Sequence, residues 1–139
     1  MRYEVTTRID APVELIWRLT TDIEQWPAFL PTVRRLHRLD DGPLRVGSRA
    51  RLKQPGQAPA VWTVLRLAEM SEFTWATRLL TVRMTGRHLL EPAGAGVRNT
   101  LVLDLDGPGA GLLSALFGAR MRASLDQEAT GFARRAAAG

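Results

Sequence analysis

The chain has no cysteine, one tyrosine, one lysine and two histidines among its 139 residues. Without cysteine there is no disulfide framework, no thiolate nucleophile and no cysteine metal site. The histidines, His37 and His88, do not form a His-x-x-x-His pair, so no metal is expected. A phosphate-binding glycine loop, a Gly-x-Ser-x-Gly elbow and a dinucleotide fingerprint are also missing, and no cofactor is expected. No window approaches the roughly eighteen consecutive apolar residues of a membrane span. The opening Met1-Arg2-Tyr3-Glu4-Val5 alternates polar and apolar residues instead of forming an apolar signal core, which argues against secretion and for a cytoplasmic location. At this length the chain is expected to be one domain over residues 1–139, large enough for a real core.

The net charge of +5 and pI near 11.1 invite a nucleic-acid reading. The distribution argues against it. Of the 19 basic residues all but Lys53 are arginine, a skew of the kind a GC-rich genome produces, and they are dispersed. Arg34, Arg35 and Arg38 make one small cluster, and Arg49, Arg51 and Lys53 alternate along one face of a predicted strand. Both read as solvated faces, and no nucleic-acid partner is expected. The alternating set still offers an acidic ligand or partner protein a surface, which is one alternative reading of function.

What the chain does have is β-periodicity followed by one long helix. Tyr3 to Ile9 alternates with period two and reads as a strand. Asp10 is placed to cap a short helix with Pro12 in its first turn, and Val13, Ile16, Trp17 and Thr20 give its stripe to about Thr21. Asp22 is placed to cap a second short helix, which Pro27 and Pro31 interrupt, leaving Trp26, Phe29 and Leu30 in a turn-rich stretch. Strands are predicted over Val33–Leu39, Ser48–Gln54, Ala60–Glu69, Phe73–Leu79, Val82–Glu91 and Val97–Asp106, separated by Gly- and Pro-containing turns. The thirty residues Gly109 to Ala138 read as a single amphipathic helix with Leu113, Leu116, Phe117, Met121, Leu125, Ala129 and Phe132 as its apolar stripe. A helix of about 42 Å is not stable alone in water, so the strands must cover that stripe. The fold class is α+β with an antiparallel sheet.

This order resembles the START-like helix-grip superfamily, also called SRPBCC or polyketide cyclase/dehydrase-like. The resemblance rests on Ile9-Asp10-Ala11-Pro12-Val13 with Trp17, then Asp22 and Trp26-Pro27-x-Phe29-Leu30-Pro31. It continues through Val61-Trp62-Thr63-Val64, Phe73-x-Trp75, His88-x-Leu90-x-Pro92 and the Gly-rich hairpin before Arg98-x-Thr100, over essentially the whole chain. It implies a seven-stranded antiparallel sheet wrapped around the C-terminal helix, two short helices after the first strand, and a ligand cavity between sheet and helix. Relatives often carry Gly-Thr in the last hairpin; Gly96-Val97 stands here instead and removes a hydroxyl.

Several residues are candidates for such a cavity. His88 shares a strand face with Met84, Gly86 and Leu90, where a neutral imidazole can act as a general base or hold a ligand carbonyl, or simply fill space. Trp75 shares a face with Phe73 and Thr77, and Trp62 with Val64 and Arg66; Trp26 and Phe29 lie between helix and sheet. Trp75 and Trp26 are stronger wall candidates than Trp17 and Trp62. Gln54 lies opposite the basic face, and Leu116 and Arg120 lie on or beside the helix stripe. Gly118 and Gly131 either make room for a ligand or allow close packing. The expected function is binding of a small hydrophobic or amphipathic molecule by a monomer or weak dimer. The alternative is a cyclase, aromatase or dehydratase type enzyme with His88 as proton carrier.

Overall fold

A computed structural model describes all residues, Met1–Gly139. Its elements follow the predicted order: β1 (Arg2–Ile9), α1 (Val13–Thr21), a 3-10 turn (Ile23–Gln25) running into α2 (Trp26–Phe29), then β2 (Arg35–Arg38), β3 (Arg49–Lys53), β4 (Ala60–Ala68), β5 (Glu72–Leu79), β6 (Val82–Ala93), β7 (Gly96–Asp106) and α3 (Ala110–Ala137). The strands form one seven-stranded antiparallel sheet in the order β1-β7-β6-β5-β4-β3-β2. Neighbours in sequence are therefore neighbours in space from β2 to β7, and β1 joins at the far edge beside β7. α3 packs on β1 and β7, with α1 and α2 against it. This is the helix-grip arrangement, and the core lies between the inner sheet face and the second half of α3.

Both predicted aspartate caps are corrected. Pro12 is the N-cap of α1 and no side chain caps it; the Asp10 carboxylate is engaged by Arg8 instead. Asp22 precedes the 3-10 turn without a side-chain capping bond. Trp26, expected in a turn, opens α2. The β2 strand is shorter than the predicted Val33–Leu39 span, because Val33 turns into the core next to Leu30 and its N–H is bonded to the Leu30 carbonyl at 3.1 Å.

The shared face assigned to Trp62, Val64 and Arg66 is broken by a β-bulge. Val64 pairs with Trp75 and Arg66 with Thr74, leaving Leu65 unpaired. The extra residue turns Arg66 to the outer face, where its guanidinium meets Glu72 at 3.2 Å. Leu67, opposite Phe73, resumes the inward face.

The helix glycines serve close packing. A Cβ on Gly131 would lie 2.6 Å from Leu30 Cδ2 and 3.0 Å from the Phe29 carbonyl oxygen, and one on Gly118 would lie 2.6 Å from the Tyr3 hydroxyl. Tyr3 and Ser114 are hydrogen-bonded beneath that point, which ties β1 to α3.

Candidate ligand cavity

Between α3 and the inner sheet face lies a cavity of about 720 Å³, inside the ~300–1,000 Å³ range of small-molecule sites. Its sheet wall is built by alternation: Trp75 and Thr77 from β5, Met84, Gly86 and His88 from β6, Leu101 and Leu103 from β7. Trp62 on β4 completes it. The two indoles lie 5.4 Å apart at an interplanar angle of 36°. Gly86 lies against both rings, and a Cβ at that position would meet Trp75 at 3.4 Å and Trp62 at 3.7 Å, ordinary van der Waals contact. The loop after β3 (Gln54 to Pro59) forms an exposed lip, and Trp26 and Val33 close the inner end.

The inner end is aromatic. Trp26 is 1% exposed and meets Phe73 at 6.0 Å, Trp75 at 5.3 Å and Phe132 at 6.0 Å in edge contacts. Its indole N–H donates to the Leu19 carbonyl at 3.0 Å. His88 is enclosed by the same rings, with centroids 5.3 Å from Trp26, 5.6 Å from Phe73 and 5.5 Å from Phe132. Burial among them penalises the imidazolium and pushes the His88 pKa down to about 4. The ring is therefore neutral at pH 7, and Nδ1 has no hydrogen-bond partner.

Across the cavity, α3 contributes Leu113, Phe117, Arg120, Met121, Ser124, Leu125 and Glu128. Glu128 is a cavity-lining residue that the motif reading passed over. It is half-buried, and loss of hydration raises its pKa from 4.5 to about 7. The nearby Thr32 hydroxyl favours the carboxylate only weakly, being close without completing a hydrogen bond. A signal for Glu128 was present: it sits seven residues after Met121, three after Leu125 and four before Phe132, so it lies on the apolar stripe itself.

Of the predicted site residues, Trp26, Gln54, Trp75, Met84, His88 and Arg120 line this one cavity. Two do not. Leu116 is 66% exposed, because one residue of helix rotates it by about 100° away from Phe117. Phe29 is half-buried outside the wall, with its ring 5.3 Å from Phe132. Trp62, ranked below Trp75, lines the cavity beside it. Arg49 and Arg51 are exposed on the opposite sheet face from the buried Ala50 and Leu52, away from the cavity.

No helix is long and apolar enough to cross a membrane. No curated protein matches the sequence. Among solved structures, a protein from Thermus thermophilus superimposes with a TM-score of 0.80 at 21% identity, covering 99% of this chain and 98% of that one. A START superfamily protein from Mycobacterium smegmatis gives 0.74 at 19% identity, over 97% and 96% of the two chains. The Zhui aromatase/cyclase from Streptomyces gives 0.70 at 19% identity, over 97% and 94%. At these identities the likeness establishes the fold. The family model described as polyketide cyclase / dehydrase and lipid transport matches residues 1–137. The chain thus belongs to the polyketide cyclase / dehydrase and lipid transport family and has the helix-grip fold of the START superfamily protein.

Proposed function

We propose that the domain binds a small hydrophobic or amphipathic molecule in the cavity between sheet and α3. The observation that carries this is the cavity itself: about 720 Å³ left open in a chain of 139 residues, with indole, leucine and methionine side chains for walls. Leaving that much apolar surface uncovered sacrifices burial that a filled core would have gained. The test is to plug the cavity. Ser124 faces the opening from α3, and Ser124→Trp is expected to weaken binding of anilinonaphthalene sulfonate at least about tenfold while leaving the far-ultraviolet circular dichroism unchanged. Equal binding by the plugged variant would place the dye elsewhere and remove the support for this cavity.

The second reading, an enzyme of the cyclase or dehydratase type, is favoured by His88 and Glu128 on the wall. Their surroundings drive the protonation equilibria in opposite senses, the usual arrangement for dividing acid and base roles. The better proton carrier is Glu128 rather than His88. A group titrating about 7 exchanges protons readily at neutral pH, whereas an imidazole titrating about 4 stays neutral and suits holding a carbonyl or enol oxygen. With a poly-β-keto thioester as substrate, Glu128→Gln is expected to slow loss of water, followed by mass spectrometry, by about 10²–10⁴-fold. Undiminished turnover in that variant would take the proton-transfer role away from Glu128.

A further inference from the structure

The cavity-facing side of α3 carries two parallel rows. Leu113, Phe117, Met121 and Leu125 recur every four residues and are apolar; Arg120, Ser124 and Glu128 recur at the same spacing and are polar. The polar row runs from the outside inwards. Arg120 is exposed, and its guanidinium reaches over the opening to the loop after β3, with Nη1 3.5 Å from the place of a Cβ on Gly56. None of the ion pairs in the structure uses Arg120. Two turns further along, Glu128 is half-buried close to Thr32, at the end of the cavity closed by Trp26 and Val33. At a rise of ~1.5 Å per residue the two positions are about 12 Å apart along the helix.

The opposite wall offers few free polar atoms, the Trp62 Nε1 and His88 Nδ1 atoms, both buried without a hydrogen-bond partner. It is mainly Trp62, Trp75 and Met84, and the Thr77 hydroxyl is already donating to the Val61 carbonyl at 2.7 Å. A guest with a charged head and an inner oxygen finds a partner for each along the α3 row, and polar atoms left unpaired elsewhere carry a cost.

We propose that the occupant is an elongated anionic amphipath, with an acidic head on Arg120 at the opening, an apolar body along Trp62 and Trp75, and a hydroxyl or carbonyl oxygen at Glu128 about 12 Å further in. This rests on the cavity-binding reading and gives it a polarity and a length. A cationic head is disfavoured at the opening, because Arg120 stands there without a counter-charge. At the inner end, Glu128 donates a hydrogen bond when protonated and accepts one from a hydroxyl when ionised. The oxygen function is therefore matched in either state.

The test uses three probes in isothermal titration: decanoate carrying a terminal hydroxyl, plain decanoate, and decanol, whose extended chains match that span. The expected order of affinity is hydroxydecanoate, decanoate, decanol, with about tenfold between acid and alcohol and about threefold for the hydroxyl. Arg120→Gln should weaken both acids about tenfold and leave decanol within twofold. Glu128→Leu should abolish the preference for the terminal hydroxyl, and Glu128→Gln, which keeps a donor and the side-chain volume, should retain it. Decanol binding as tightly as the acids would overturn the proposal and leave the cavity reading standing. Failure of every probe to bind the unaltered protein would bring down both.

Discussion

Replacing Trp26 with alanine is expected to destabilise the domain by about 3–5 kcal/mol. This corresponds to a fall in Tm of roughly 10–20 °C for a domain of this size. Few side chains here touch so many elements. Trp26 sits on a helix of only four residues, Trp26–Phe29, which has too few turns to be stable alone. Its ring packs on Phe73 and Trp75 of β5, on His88 of β6 and on Phe132 of α3. Removing it enlarges the inner end of an existing cavity, so the surroundings cannot collapse onto the gap without drawing α3 towards the sheet. It also takes away the donor that satisfies the Leu19 carbonyl. Leu116→Ala is the matched control: on the exposed side of α3, it should stay within about 0.5 kcal/mol. Urea denaturation of both variants checks the pair. A loss below about 1 kcal/mol for Trp26→Ala would mean that the aromatic cluster is not what holds the inner end together.

The second large effect is a change in how stability depends on pH. Glu128 titrates at about 7 in the folded protein against 4.5 ordinarily. The unfolded chain therefore releases that proton first, and this residue's contribution is complete below pH 4.5 and lost as the pH rises to about 7. His88 works in the reverse direction. Its folded value is about 4 against 6.5, so the unfolded chain takes up the proton first, and its contribution is complete above pH 6.5 and lost as the pH falls to about 4. Between about pH 4.5 and 6.5 the two slopes oppose, and the unaltered protein should show a shallow profile there. Glu128→Gln removes the falling limb alone. After allowance for the partial solvation of a half-buried carboxyl, the variant is expected to gain about 1–3 kcal/mol at pH 8, and nothing below pH 4.5, where the native residue is also neutral. Its stability should climb more steeply with pH than that of the parent as His88 loses its proton. Denaturation curves at acid, intermediate and alkaline pH decide this; parallel profiles for parent and variant would show that Glu128 is hydrated as an ordinary surface acid. A stabilising change on the wall of a binding cavity is also what is expected where a group is kept for its chemistry rather than for folding.

The two ends of the site were unequally legible. His88 and Met84 could be placed together because alternation along a strand assigns every second residue to one face, and β6 keeps that alternation unbroken from Val82 to Leu90 in its pairing with β5 and β7. On β4 the same rule fails halfway, since the unpaired Leu65 inverts the faces and sends Arg66 outwards. A bulge answers to the partner strand's register, which no local pattern records. On α3 the stripe was drawn about one residue too wide. Leu116 and Phe117 both fit a three- and four-residue repeat, yet Phe117 borders the cavity and Leu116 faces water.

The order and type of the elements were determined by the sequence itself, because periodicity of two or of 3.6, turn-forming Gly and Pro, and the missing cysteines are local properties that need no neighbour to act. Tertiary structure decided the cavity, the neutral His88 and the shifted Glu128. Desolvation depends on which distant groups come to surround a side chain, and Glu128 becomes an unusual acid only when α3 is held on β1 and β7, beside Thr32 and across the cavity from β5 and β6.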